Sequence, residues 1–383
     1  MSLLDDLAAV GRAPGGGYAR HVFDRADTEL REWFREQAGR RGLDVETDRN
    51  GNLWAWWGEP GPDALVTGSH LDSVPGGGAF DGPLGVVSAL EAVSRLPARP
   101  ARPFAVVVFA EEEGGRFGVP CLGSRLLTGA LDPDRARALR DPDGVTLAEA
   151  AARAGVDPAR LGRDDEALGR IGTFVELHVE QGRALDVPVG VGSTVLEHGR
   201  WRFSFTGQGN HAGTTILADR RDPMLPAAEV VLAARRLAST VDGRATVGRL
   251  VPRPGGTNVI ASTVDLWLDA RGRSREVVAE LTDAARAAAA AEGCTVTVTE
   301  ESYGGTVTFD PALCDRLTGL LGAPELPTGA GHDAAILAAH TATAMLYVRN
   351  PTGISHAPEE FAEDADVEAG VVALTRVLED LST

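Results

Sequence analysis

The hydrophobic and polar positions of this chain follow two periods in turn. Over residues 28–41 apolar side chains return every three or four positions and Gly42 follows, which predicts an amphipathic helix. Strands are predicted over 44–47, 53–57 and 65–67. The run FAVVVFA at 104–110 is continuously apolar, β-branched and aromatic, and predicts a strand buried on both faces. Residues 174–180 alternate instead, which sends Glu176, His178 and Glu180 to one face of a strand that a half-exposed sheet would also show. Alternation recurs at 201–207 and 264–271. Residues 130–170, rich in Asp, Arg, Ala and Pro, predict short surface helices. The alanine-rich 274–292 predicts a longer helix, followed by a strand over 295–299 and a helix over 309–321. Strands and helices interleave along the whole chain, so the fold class is α/β.

Four of these runs end in the same donor types. After the 65–67 run comes GSHLDSVPGGGAFDG, which places His70, Asp72 and Asp81 on a glycine-rich turn. After 104–110 come Glu111, Glu112 and Glu113, three carboxylates that repel one another unless a cation or Arg116 compensates them. A solvated acidic loop is the alternative there. The third cluster is ELHVEQG at 176–182, and the fourth is GISHAPEE at 353–360, where Pro358 and two acids after His356 read equally as the start of a helix. Neutral imidazole and carboxylate oxygen suit zinc, manganese or cobalt. His70, Asp81, one glutamate of the triplet, His178 and His356 make five donors, about what two metals sharing one bridging carboxylate need.

Composition narrows the picture. A chain of 383 residues is too long for one ordinary core, so two domains are expected. The formal net charge of −18 argues against a nucleic-acid partner. No apolar run approaches the roughly 20 residues that cross a bilayer, and the start MSLLDD has neither a basic region nor an apolar signal core. Cys121, Cys294 and Cys314 are odd in number and unrelated in spacing, which suggests neither a disulfide framework nor a thiolate metal site. A cytoplasmic location is the expectation. All 37 basic residues are Arg, which rules out a Schiff-base lysine and reads as the coding bias of a GC-rich genome.

The motifs GSHLDSVPGGGAFDGPLGV, EEEGGRF, ELHVEQG, GNHAGTT at 209–215, GGTNVIA with LDAR close behind, GAGHDA at 329–334 and GISHAPEE resemble, in consistent order and over nearly the whole chain, the dinuclear zinc amidohydrolases related to aminoacylase and carboxypeptidase, in their hydantoinase/carbamoylase branch. The resemblance implies a discontinuous catalytic domain, 1–196 with 307–383, whose mixed sheet is flanked by helices, and an inserted α+β lid and dimerisation domain over 197–306. It implies that His70, Asp81 and His178 hold one metal and Asp81, Glu113 and His356 the other, zinc first and manganese or cobalt next. Asp72 then orients His70, Glu112 is the general base, and Glu111 is structural. His211 is implied to reach a partner subunit's site in an oxyanion role. Asn258 and Arg271 are implied to grip the substrate's α-carboxylate, with Gln181 and His332 also on the substrate side.

One departure is visible: Ile216-Leu217 stands where the family continues with Pro-Met. The implied reaction is hydrolysis of a linear C–N bond of a small carboxylate substrate by a homodimer, with an N-carbamoyl-L-amino acid foremost. Allantoate amidohydrolase, β-ureidopropionase and N-acyl amino acid amidase are the nearest alternatives, and a catalytically silent dimeric binding protein is the alternative of a different class.

Overall fold

A computed structural model describes residues 3–240 and 243–382. The chain divides into two compact units, one formed by the residues up to Thr194 together with those from Thr308 on, the other by Val195–Val307. The larger unit is built on a nine-stranded mixed sheet. Four parallel strands lie at its centre in the spatial order Phe104–Phe109, Ala64–His70, Ile171–Val179 and Ala342–Val348. Antiparallel strands extend it, Leu53–Trp56 and Asp44–Thr47 on one side and Val189–Val195 on the other.

The central strands are buried on both faces because helices flank them, among them Pro83–Arg95, which packs on Asp364–Asp380. The alternation at 174–180 therefore does not mark a half-exposed strand: every residue from Phe174 to Val179 is buried. Its polar positions are turned toward a site instead of toward water. Gly85 lets the Pro83–Arg95 helix approach the sheet, since a Cβ there would fall on the Leu177 carbonyl oxygen.

Element boundaries follow the caps. The first long helix is Arg25–Arg40, three residues earlier than the apolar period indicates, because the Asp24 carboxylate accepts the Asp27 N–H at 2.8 Å. Pro311–Leu321 starts behind Asp310 in the same way. The acids after His356 open no helix, and the last helix starts at Asp364. Glu360 is used elsewhere: one carboxylate oxygen accepts the N–H groups of Phe80 and Asp81, each at 2.9 Å. The short helices Pro133–Ala138 and Leu147–Arg153 are not merely on the surface, because Ala136, Leu147, Ala150 and Ala151 bury a satellite core with Phe117, Leu122 and Leu126.

The smaller unit is α+β. Its four-stranded antiparallel sheet runs Thr295–Gly304, His198–Thr206, Thr263–Arg271, Arg244–Arg253. Period-two side chains Trp201, Phe203, Phe205, Val264, Leu266 and Leu268 form its core with Val230, Val277, Leu281 and Ala285 of the helices Met224–Thr240 and Ser274–Ala291. Among the described residues no helix is long and apolar enough to cross a membrane.

Candidate metal centre and active site

Each donor cluster of the larger unit sits at the carboxyl end of a central parallel strand, where open α/β sheets carry their sites. His70 ends its strand, His178 is the last residue but one of its own, Glu111–Glu113 follow Phe104–Phe109 by one residue, and His356 lies in the loop after Ala342–Val348. Asp81 comes from the turn leading into Pro83–Arg95. The backbone there needs glycine: Gly82 has φ of 85°, and a Cβ would overlap the His70 ring.

Asp81 divides its two oxygens. Oδ1 lies 3.5 Å from His70 Nε2 and 3.3 Å from His178 Nε2, whereas Oδ2 lies 3.5 Å from His356 Nε2. Glu113 Oε2 is 3.4 Å from that same His356 nitrogen. Two donor groups thus share Asp81, one with His70 and His178 and one with Glu113 and His356, with ligand atoms in each group within 4.8 Å of one another. Glu112 belongs to neither; its Oε2 is 3.7 Å from His70 Nε2 and its Oε1 accepts the Cys121 thiol at 3.4 Å.

Second contacts fix the ring orientations. Nδ1–H of His70 donates to the Asp72 main-chain carbonyl at 3.2 Å and Nδ1–H of His178 to the Val179 carbonyl at 2.9 Å. Both Nε2 atoms then face Asp81 Oδ1, and both are buried without a hydrogen-bond partner. A cation resolves that arrangement, and imidazole with carboxylate is a donor set for zinc, manganese or cobalt. The Asp72 carboxylate differs from expectation. It stands 3.6 Å from His70 Nδ1 and instead accepts the N–H groups of Glu112 at 3.1 Å and Glu113 at 3.0 Å, because two directed main-chain donors satisfy both its oxygens. Asp72 therefore orders the ring through its carbonyl and the acidic loop through its side chain. Glu111 is structural: its carboxylate accepts the N–H groups of Arg116 at 2.9 Å and Phe117 at 2.7 Å.

Burial pushes the Glu113 carboxyl up to about 8, with the Asp81 charge adding to it. Glu112 is held well above the ordinary range by burial, and Asp333 and Glu113 outweigh part of the relief from His70. Burial also raises Asp81, but His178 and His70 reverse this and hold it well below the usual carboxylate range. His332 is kept neutral by burial and by the neighbouring His178, whose ring centroid is 4.6 Å away. It forms a third buried donor group with Glu176 and His178.

Excess negative charge in a dry site has a measurable sign. Without metal, Glu113 moves from its ordinary 4.5 in the unfolded chain to about 8 in the fold, so its contribution to stability is present below 4.5 and lost as pH rises toward 8. Zinc bound at these carboxylates would offset that loss, so the melting temperature gained on adding zinc is expected to be larger at about pH 8 than at about pH 6. Thermal melts of the chelator-treated protein with and without zinc at both values measure it. An equal gain at both would show that zinc binds away from the carboxylates.

In the smaller unit, His211 and Asn258 are brought side by side. His211 pairs with Val259 in a two-stranded sheet, and the Ala212 N–H donates to the Asn258 carbonyl at 3.0 Å. His211 Nδ1 accepts the N–H groups of Gly213 at 3.0 Å and Thr214 at 3.2 Å, so the neutral ring carries its proton on the exposed Nε2. Arg220 steadies the loop through the Ala212 carbonyl at 2.7 Å. Arg271 is not with them. It closes the Thr263–Arg271 strand at the end away from Ile260, a separation of about 27 Å of extended chain. Ile216 and Leu217 are both exposed on the His211 loop.

Sequence comparison accounts for this arrangement. The family model for peptidase family M20/M25/M40 matches residues 66–380. An N-carbamoyl-L-amino acid amidohydrolase of Geobacillus stearothermophilus is 37% identical over 97% of this chain and 95% of its own length. The chain belongs to peptidase family M20/M25/M40. A ureidoglycolate hydrolase of Arabidopsis thaliana is 32% identical over 99% of this chain and 85% of its own. Among solved structures, the hydantoinase/carbamoylase family amidase of Burkholderia vietnamiensis superposes with a TM-score of 0.87 at 30% identity, covering 99% of this chain and 95% of that one. The chain is thus a hydrolase of the hydantoinase/carbamoylase branch, and the M20/M25/M40 family is metal-dependent, in keeping with its donor groups.

Some contacts around the M20/M25/M40 donor set have no local sequence signal that would have marked them. Glu360 braces the Asp81 turn from 279 positions away along the chain. Ser124 hydrogen-bonds the buried Asp333 carboxylate, and Ser69 donates to Glu176 Oε1 at 2.7 Å. Ser69, Glu176, Asp333 and Glu360 lie inside the motifs GSHLDSVPGGG, ELHVEQG, GAGHDA and GISHAPEE, whereas Ser124 lies in none of them. Glu180, alternating with His178, is no donor here: its carboxylate turns back on the N–H groups of Ala184 and Leu185.

Proposed function

We propose that this protein hydrolyses an N-carbamoyl-L-amino acid to the amino acid, ammonia and carbon dioxide, using two divalent ions per subunit, zinc foremost and manganese or cobalt next. The observation that carries the reading is the division of Asp81 between two donor groups, with the Glu112 carboxylate beside His70 and a member of neither. His70, Asp81 and His178 would hold one ion, and Asp81, Glu113 and His356 the other. The ions, when bound, lower the pKa of water and polarise the scissile carbonyl. Glu112 accepts the proton of the attacking water and delivers it to the leaving nitrogen. Asp72 keeps Glu112 and Glu113 in place through their main-chain N–H groups. Gln181 and His332 border the donor set on the substrate side.

The Val195–Val307 unit supplies the rest in this reading, as lid and dimer surface. His211 Nε2–H is a donor suited to the oxygen on which charge develops, and Asn258 beside it and Arg271 hold the carboxylate. Since a strand's length separates Asn258 from Arg271, one copy of the unit does not bring both to one carboxylate. That supports a homodimer in which His211 and Asn258 come from the partner chain. A cytoplasmic location fits three buried cysteines that are all free.

A second reading has its own support. The structure of AtUAH in complex with (S)-hydroxyglycine superposes with a TM-score of 0.88 at 28% identity, covering 99% of this chain and 96% of that one. Ureidoglycolate, like an N-carbamoyl amino acid, carries its ureido group on the carbon next to a carboxylate. Turnover of N-carbamoyl, N-formyl, N-acetyl and dipeptide substrates, allantoate and ureidoglycolate with zinc, manganese or cobalt decides between them. Preference for an N-carbamoyl-L-amino acid is expected, and preference for another member would replace the substrate.

Arg271→Ala or Asn258→Ala is expected to weaken kcat/KM by about 1.5 to 3 kcal/mol on substrates with a free carboxylate, and much less on the corresponding amides. Equal losses on both would show that neither residue holds the carboxylate. Mixed dimers test the shared site. His211→Ala and Glu112→Gln are each expected to be nearly inactive, yet co-expressed they assort into dimers, about half of them mixed and with one site intact, so activity returns to about a quarter of wild type. If His211 acts within its own chain, nothing returns.

A further inference from the structure

A group that takes a proton and returns it needs a fixed direction as well as a fixed place. The carboxylates on either side of Glu112 are held by main-chain donors: Glu111 by the N–H groups of Arg116 and Phe117, and Glu113 Oε1 by the Val74 N–H at 3.4 Å. Glu112 is held differently. Among the described residues the one hydrogen-bond donor to its carboxylate is the Cys121 thiol, 3.4 Å from Oε1, while Oε2 is the oxygen beside His70. An ionised carboxylate only accepts, so the thiol is the donor.

Cys121 breaks two local preferences. Its φ of 53° and ψ of 38° lie in the left-handed region that favours glycine. It also stands just before the helix Leu122–Thr128, where Ser, Thr, Asp or Asn would accept a helix N–H, yet its side chain makes no such bond. The main chain imposes this placement. The N–H groups of Cys121, Leu122 and Gly123 donate to the carbonyls of Glu112, Glu111 and Ala110 at 2.6, 3.0 and 2.9 Å. Residue 121 is thereby kept in register against the acidic loop, with its buried side chain on Glu112 instead of on the helix.

We infer that Cys121 is a positioning residue for Glu112: its thiol holds Oε1 and leaves Oε2 to exchange the proton. Cys121 belongs to neither donor group and acts through Glu112. The last torsion of a glutamate side chain is broad, so without the thiol the carboxylate spreads over orientations of which a fraction serve. This inference rests on the general-base reading of Glu112.

The test is a double-mutant cycle on the zinc-loaded full chain with the preferred substrate of the series above. Cys121→Ala, Cys121→Ser and Glu112→Gln are compared singly, and Cys121→Ala is combined with Glu112→Gln, with bound metal and thermal melts measured for each. Cys121→Ala is expected to lower kcat about three- to tenfold, the worth of one hydrogen bond, with KM and metal content unchanged. Cys121→Ser keeps a donor and is expected to stay within about twofold of wild type. In the Glu112→Gln background Cys121→Ala is expected to cause no further loss. An unchanged kcat or a loss confined to KM in Cys121→Ala, a loss in Cys121→Ser as large as in Cys121→Ala, or equal losses in both backgrounds overturns the positioning role and leaves Glu112 as the base. If Glu112→Gln itself turns over near the wild-type rate, the general-base reading falls and the inference with it. Cys121→Gly suits the left-handed backbone and removes the thiol, so it carries the comparison if Cys121→Ala does not fold.

Discussion

Glu112→Gln turns over substrate about two to four orders of magnitude more slowly than wild type while binding the same amount of metal. The reason is the separation of roles between adjacent glutamates. Glu113 Oε2 faces His356, inside a donor group, whereas the Glu112 carboxylate lies between His70 and the Cys121 thiol and outside both groups. An amide at 112 keeps the shape and the loop, which Asp72 holds through main-chain N–H groups that the substitution does not touch. What it loses is the ability to take a proton and return it. The check is metal analysis alongside steady-state kinetics. A variant that loses metal instead would exchange the roles of Glu112 and Glu113.

For Asp81→Ala the expected result is the opposite pattern: metal content falls by at least one ion per chain, and turnover falls by more than about three orders of magnitude with it. Each oxygen of Asp81 serves a different pair of donors, so its removal leaves His70 with His178, and Glu113 with His356, one carboxylate short at once. The circular dichroism spectrum separates loss of metal from loss of fold. If Asp81→Ala bound two ions with unchanged affinity, the shared carboxylate would have to be sought elsewhere.

Much of this site was legible in the chain because metal chemistry restricts residue type. Imidazoles and carboxylates at strand ends, recurring four times, marked His70, Asp81, His178 and His356 before any fold was known. The carboxyl ends of parallel strands then converge for a topological reason, since the strands run side by side and point the same way. The period-two cores of the smaller unit were legible for a similar reason: Phe203 and Phe205 lie opposite Leu266 and Val264, and one face of that sheet is covered. Where the polar positions of a strand face a site instead of solvent, as at Glu176 and His178, the same alternation misleads about exposure.

Contacts between distant segments were decided by tertiary structure alone. No local pattern reveals that Glu360 accepts the Asp81 N–H, that Asp72 clamps the acidic loop with its side chain, or that Gln181 donates to Asp81 Oδ2. Nor does spacing along the chain show that Asn258 lies in the turn before the short strand Val259–Ile260, whereas Arg271 closes the far end of the separate strand Thr263–Arg271. Residue type and period determine which atoms are able to bind and which faces are covered. Which atom meets which depends on chain reversals whose geometry is set by packing across the whole fold, and a one-dimensional pattern does not contain it.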